Sequence, residues 1–394
     1  MRFSKVSIYL CLLAAVVVGL TACNNSAPTA SSSEGTETAD STPVQLAQLN
    51  FENLVSPSEQ NIDEGRLNNL IDEIERGLWG SVDSLLISRN GQMVLERYFR
   101  DYDGTTPHRM YSTTKSITSM LIGIAMDQGH IQSLDQKLLD FFPEYERSDI
   151  LNYDERKEAI TLEDVLTMRA GFEWNEHSTR YTTPNNPTTH LFASADWMKH
   201  MLDLPMATAP GTSYRYNSGA TMLLSGILRN TTGMNTREFA EEFLFGPLGI
   251  TNFDWEEGPE EIFNTGWGSF LVPRDMMKIG LMVLNDGVWE GQQIISNEWL
   301  NDSTSAYVPR GSGAYGFQWW MMPLSGVRGH TPTSSDIDYT SGWGGQHIFV
   351  IRHLDMVVTV TGENYNGAPR SAQSMIQNYI IPTVLDAEAT VNSG

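Results

Sequence analysis

Three short clusters of polar residues hold side chains from which an acyl-transfer site can be built. The first is Ser112-Thr113-Thr114-Lys115, the only Ser-x-x-Lys among 394 residues. A separation of three on a helix puts hydroxyl and ammonium on one face. The amine can then help remove the hydroxyl proton, and a position at the helix N-terminus favours the negative charge that develops. The residues that follow are largely apolar, so Lys115 lies beside a buried helix, where an ammonium needs a reason. The second cluster is Pro210-Gly211-Thr212-Ser213-Tyr214-Arg215-Tyr216-Asn217-Ser218-Gly219. A tyrosine beside a lysine can have a depressed pKa and act as general base, although taken alone Tyr216 reads as a core-edge tyrosine. The third is Tyr339-Thr340-Ser341-Gly342-Trp343-Gly344-Gly345-Gln346. Glycines at a strand edge let backbone approach a ligand, and an N–H there can join that of Ser112 in an oxyanion hole. The alternative for this cluster is a Gly-rich hairpin turn.

The elements that must position these clusters follow from periodicity. Ile62, Leu67, Leu70, Ile71, Ile74 and Leu78 recur at helical spacing. Segments 84–88 and 93–99 flank Asn90-Gly91, a type I′ hairpin signal. Residues 112–128 read as a mostly buried helix that Gly129 terminates. From about 120 to 275 the chain consists of helical patches joined by Pro- and Gly-rich loops. Strands return at 346–351 and 356–361, and a helix closes near Leu385. This order predicts an α/β (α+β) fold in which both ends of the chain build one sheet around an inserted, mainly helical region.

The first residues stand apart from that body. Arg2 and Lys5 precede an apolar run from Val6 to Leu20, the pattern of a secretory leader over residues 1–22. It ends in Leu20-Thr21-Ala22-Cys23, which resembles the lipobox of bacterial lipoproteins. That resemblance implies cleavage before Cys23, lipid on its sulfur and a place in the bacterial cell envelope, with Asn24 pointing to the outer membrane. Residues 23–50, rich in Ser, Thr, Ala and Pro, read as a disordered tether to a domain spanning 51–394.

The three clusters, in this order and spacing, resemble the serine β-lactamase-related family. It comprises class C β-lactamases, D-Ala-D-Ala carboxypeptidases, related esterases and nylon-oligomer hydrolases. Leu166-Thr167-Met168-Arg169-Ala170-Gly171, Arg274-Asp275, Tyr315-Gly316 and Trp319-Trp320 extend the similarity over roughly residues 60 to 385. The resemblance implies a β-lactamase/transpeptidase-like fold, an antiparallel sheet flanked by helices. It implies Ser112 as nucleophile, Lys115 as activating partner and Tyr216 as general acid/base. It also implies an oxyanion hole from the backbone N–H of Ser112 and Trp343, or of Gln346 in a shifted register. Two departures bear on substrate. Ser218 stands third in the Tyr-x-Asn motif. Thr340 replaces the lysine that opens the third motif, so a charge-assisted contact to a β-lactam carboxylate, worth roughly 1.5–3 kcal/mol, is missing. The pattern is nearer the esterase and nylon-oligomer hydrolase branch. A serine hydrolase acting on a small ester or amide is therefore expected. The alternatives are a penicillin-binding D-Ala-D-Ala carboxypeptidase or β-lactamase, and a surface lipoprotein that only binds. Ser218, Thr340, Gly342, Trp343, Gln346 and Trp174 are the candidate substrate contacts.

Other classes are excluded or disfavoured. With 25 basic and 48 acidic residues the formal charge is −23, which opposes nucleic-acid binding and a polybasic membrane patch. Cys11 and Cys23 are the only cysteines, too few for a disulfide scaffold or a Cys-based zinc finger. The eight histidines show no metal-ligand spacing, and no phosphate loop precedes a helix, so no metal or cofactor is expected. Membrane contact is expected only through Cys23. His347 reads as structural more readily than as a pocket residue, and Glu176 and Asp275 as structural ion-pair partners.

Overall fold

A computed structural model describes residues 53–385 apart from residue 182. The expected leader, Cys23 and the tether lie outside the described residues.

Four helices matter for the site: α1 (Glu64–Glu75), α2 (Thr113–Asp127), α3 (Ser218–Thr232) and α4 (Pro273–Leu284). Asp63 caps α1 by accepting from the Arg66 amide. The periodic run that marks α1 overshoots it at both ends. Ile62 bridges to Val384 before the helix begins, and Leu78 lies exposed beyond its end. In α2, thirteen of fifteen residues are buried. Apolar side chains such as Ile117, Met120, Leu121 and Ile124 each contribute about 1.5–3 kcal/mol on burial. Gly129, at φ 77°, takes the left-handed position after the helix.

Strands β1 (Val82–Arg89) and β2 (Gln92–Tyr98) form the first hairpin. Its turn residues, Asn90 and Gly91, have φ of 49° and 71°, the two left-handed positions that a type I′ turn requires. The late strands are β3 (Val308–Arg310), β4 (Gly313–Tyr315), β5 (Trp320–Met322), β6 (Ile337–Tyr339), β7 (His347–Ile351) and β8 (Met356–Gly362). All eight form one antiparallel sheet in the order β2-β1-β8-β7-β6-β5-β4-β3. Leu85 pairs with Val360 and Ile87 with Val358, so the two ends of the body meet in the middle of the sheet.

Every residue of β1 is buried, because helices cover both faces of the sheet. Leu86 joins Ile348, Val350 and Val357 in the larger core, with α2, α3 and α4. Leu85 and Ile87 point the other way, with Phe349, Ile351 and Val358, toward α1 and the helical segment 372–383. The region expected to be mainly helical contains more than helices. Ser269–Leu271 pairs with both Phe253–Trp255 and His108–Arg109 in a small second sheet. Strands of two or three residues are too short to leave a period of two in the sequence.

Candidate active site

The second sheet and the main sheet meet at the start of α2. Arg109 pairs with Phe270, and the Met110 amide donates to the Ser269 carbonyl. Tyr111 then turns with φ 46°, and Ser112 occupies the N-cap of α2 without capping it by its side chain. The hydroxyl is thus left available to other side chains at a partly exposed helix N-terminus. Thr113 Oγ1 donates to the Gln346 carbonyl at 2.9 Å and lies 3.1 Å from Thr340 Oγ1, which ties the helix start to the third cluster. Gly342 permits that approach, since a Cβ there would lie 2.2 Å from the Met110 carbonyl oxygen.

Lys115 joins the first and second clusters. Its side chain is buried, and Nζ donates to the Gly266 carbonyl at 2.7 Å, to Ser218 Oγ at 2.9 Å and to Ser112 Oγ at 3.2 Å. Burial pulls the ammonium down to about 8, against the opposing pull of the Glu176 carboxylate. Asn217 caps α3 by accepting from the Ala220 amide, and this sets Ser218 at the first helical position, facing Lys115. The Tyr216 ring lies 5.0 Å from Lys115 Nζ and stacks with His177 and with Trp320. Burial, reinforced by Glu176, pushes the Tyr216 phenol well above its ordinary value, and a hydrogen bond with Ser112 only partly offsets this. The expected depressed tyrosine is therefore corrected. Tyr216 keeps its proton and is suited to donate one, whereas Lys115 is the group whose proton is loosened.

The candidate substrate contacts divide. Trp343 is 38% exposed, and its ring meets Tyr111, Tyr181 and Tyr365. Among the described residues the backbone N–H groups of Ser112 and Trp343 donate to no protein acceptor. The Gln346 amide, in contrast, donates to the Gly342 carbonyl, and the Gln346 side chain holds both backbone groups of Gly362. That side chain and those of Thr340 and Trp174 are buried on protein partners, not turned to a ligand. Thr340 Oγ1 accepts from the Ile348 amide, and Trp174 Nε1 donates to Glu176. His347 is buried, donates from Nδ1 to the Thr340 carbonyl and is pushed down to about 4 by burial, so it is neutral and structural. Asp275 pairs with Lys278 as expected, but Glu176 sits inside the site on hydroxyl, amide and indole donors. Sequence reasoning also missed the Gly266 carbonyl, Tyr111, Tyr181 and Tyr365, and it named Trp320 only as part of the family resemblance. Of the missed residues only Tyr111, next to the first cluster, carried a positional signal. Among the described residues no group of His, Cys, Asp and Glu could hold a metal ion.

Comparisons with known proteins bear on the family and the fold. The family model described as Beta-lactamase matches residues 71–374. The 6-aminohexanoate-dimer hydrolase of Paenarthrobacter ureafaciens is 24% identical over 304 residues, covering 70% of this chain and 71% of that protein. Among solved structures, the octameric penicillin-binding protein homologue from Pyrococcus abyssi superposes with a TM-score of 0.62 at 17% identity. It covers 82% of this chain and 77% of its own. A family VIII carboxylesterase superposes with a TM-score of 0.59 at 16% identity, covering 85% and 98%. With a family model over most of the body and the same mixed fold around an antiparallel sheet, the chain belongs to the β-lactamase family of serine hydrolases.

Proposed function

We propose that the chain hydrolyses a small, uncharged ester or amide through an acyl-enzyme on Ser112. The observation that carries this reading is the buried Lys115 amine, held by Gly266 and Ser218 and directed at Ser112 Oγ. Neutral Lys115 takes the Ser112 proton as Oγ adds to the carbonyl carbon. The N–H groups of Ser112 and Trp343 hold the resulting oxyanion. Collapse of the tetrahedral intermediate expels the alcohol or amine, which takes a proton through Tyr216. Water then attacks the acyl carbon and frees Ser112. The reading of an uncharged substrate is supported by the third cluster, where Thr340 offers no cation, and by the rings of Tyr111, Tyr181, Trp343 and Tyr365 beside the nucleophile. The leader-like residues 1–22 and Cys23 support a lipid-anchored location in the cell envelope, to be checked by intact mass of wild type and Cys23→Ser.

The purified protein is assayed on p-nitrophenyl butyrate, a chromogenic cephalosporin and an aminohexanoate dimer capped at both termini so that it carries no charge, with Ser112→Ala as control. Turnover of the ester or the dimer that vanishes in Ser112→Ala is expected. No turnover of any substrate, or turnover that survives Ser112→Ala, refutes the reading. A stable penicillin adduct without turnover would assign a penicillin-binding role instead.

A further inference from the structure

We propose that Glu176 is a positioning residue that sets the direction of the hydrogen bonds around Lys115, so that the neutral amine presents its lone pair to Ser112. This rests on the reading of Lys115 as base. Glu176 is 1% exposed, and four neutral donors surround it. Its Oε2 accepts from the Ser218 amide and from Trp174 Nε1, each at 2.6 Å. Its Oε1 accepts from Ser218 Oγ at 2.7 Å and from the Tyr181 hydroxyl at 3.0 Å.

A carboxylate only accepts, so the Ser218 hydroxyl directs its proton to Glu176 and turns a lone pair toward Lys115. The Gly266 carbonyl, on another side of Nζ, also only accepts. An ammonium satisfies Ser218, Gly266 and Ser112 with its three N–H groups. A neutral amine has two. Ser218 and Gly266 hold both, because neither has a proton to offer Nζ in return. The lone pair is left for Ser112, the one neighbour of the three whose proton can be given up. The groups that face Lys115 are Ser112, Ser218, Gly266, the Glu176 carboxylate and the Tyr216 ring. Tyr181 and His177 reach it only through Glu176 and Tyr216. The Glu176 charge also favours the ammonium, so it sets the pH at which the base comes free.

Glu176→Gln separates these roles from simple support. The amide oxygen can serve Trp174 and the Ser218 N–H. The amide nitrogen then donates to the two hydroxyls, which turn round, and Ser218 offers its proton to Lys115. The lone pair is drawn from Ser112 to Ser218. In the full chain, Glu176→Gln is expected to lower kcat by roughly 10²-fold with KM little changed. It is also expected to move the acidic limb of kcat/KM to lower pH by about one unit. A wild-type kcat, a limb that stays in place, or a loss of rate that only tracks the folded fraction overturns the proposal. Should Glu176→Gln fail to fold, Ser218→Ala removes the hydroxyl through which Glu176 acts and leaves its other contacts in place. A comparable fall in kcat is expected there, and a wild-type kcat overturns the proposal. Labelling by a fluorophosphonate keeps the two layers apart. A wild type unlabelled at Ser112 removes the underlying reading, whereas a labelled, active wild type with an unaltered Glu176→Gln removes only the role of Glu176.

Discussion

The rate of a lysine-activated hydrolase follows the fraction of that lysine that is neutral. Burial brings Lys115 from the ordinary 10.5 down to about 8, despite the Glu176 carboxylate. The neutral share is then about 1% at pH 6, about 10% at pH 7 and about half at pH 8. kcat/KM should climb roughly tenfold per pH unit below 7, and about fiftyfold between pH 6 and pH 8. Neither Tyr216, raised by burial, nor His347, pushed down to about 4, supplies a limb in that window. The assay is kcat/KM on p-nitrophenyl butyrate from pH 5.5 to 9.5, corrected for spontaneous hydrolysis, together with the rate of fluorophosphonate labelling, which reports the attack of the serine without turnover. A flat profile between pH 6 and 8 refutes the argument, and so does a limb centred at about 6.5, which would assign the base to an imidazole. Lys115→Ala should abolish the limb and cost roughly 10²–10⁴ in kcat/KM. Near wild-type activity in that variant would refute the base outright. Stability should respond in a different window. Because the folded value lies below the unfolded one, the unfolded chain binds the extra proton between about pH 8 and 10.5, so this lysine adds stability as pH rises through that range. Lys157, also drawn down to about 8 by burial, shares that effect on stability but not on rate, since it donates to the Leu151 and Leu202 carbonyls.

Tyr216→Phe removes the proton donor near Ser112 and should lower kcat/KM by roughly 10²-fold or more with little change in melting temperature; stopped-time ester assays and thermal unfolding check both. Gly342→Ala places a methyl 2.2 Å from the Met110 carbonyl oxygen, so the third cluster must move away from α2. A loss of about 1–3 kcal/mol in urea unfolding and a sharp fall in activity are expected, and an unchanged midpoint would contradict the packing. Asp338, buried on β6 beside Arg352, is raised to about 7 by burial. The folded chain therefore holds a proton that the unfolded chain has lost, and the contribution of this group falls as pH rises from about 4 to about 7. Asp338→Asn should flatten the decline in melting temperature between pH 5 and pH 8, and an identical slope in the variant would exclude Asp338 as its source.

The parts of this protein legible in the sequence are those fixed by local patterns. Asn90-Gly91 marks the first hairpin because few other dipeptides accept two left-handed positions. The apolar run after Lys115 marks α2, and the apolar segments near 346–351 and 356–361 mark the buried strands β7 and β8. Spacing names Ser112 and Lys115, the family resemblance names Ser218, and the three converge within hydrogen-bond reach. What escaped depends on long-range geometry. Gly266 contributes a carbonyl, which any residue could supply, so its type carries no signal. Glu176 reads as one acid among 48 until folding places it under Ser218. Trp174, Thr340 and Gln346 are polar or aromatic beside the site, but the direction of a side chain cannot be read from adjacency. All three turn inward to tie down the segments that Trp343 and Ser218 need.

The pairing of β1 with β8 also governs when the enzyme can come into being. Leu85 and Val360, about 275 residues apart, are neighbours in the sheet, and β7 and β6 extend from β8 toward the third cluster. Such separations impose a large loop-closure entropy and slow folding. Ser112 and Lys115 come early in the body, yet the Gly342 edge that their helix meets lies between the late strands β6 and β7. The contact between the Ser112 helix and the third cluster is therefore a long-range one, which forms only when both ends of the chain have come together.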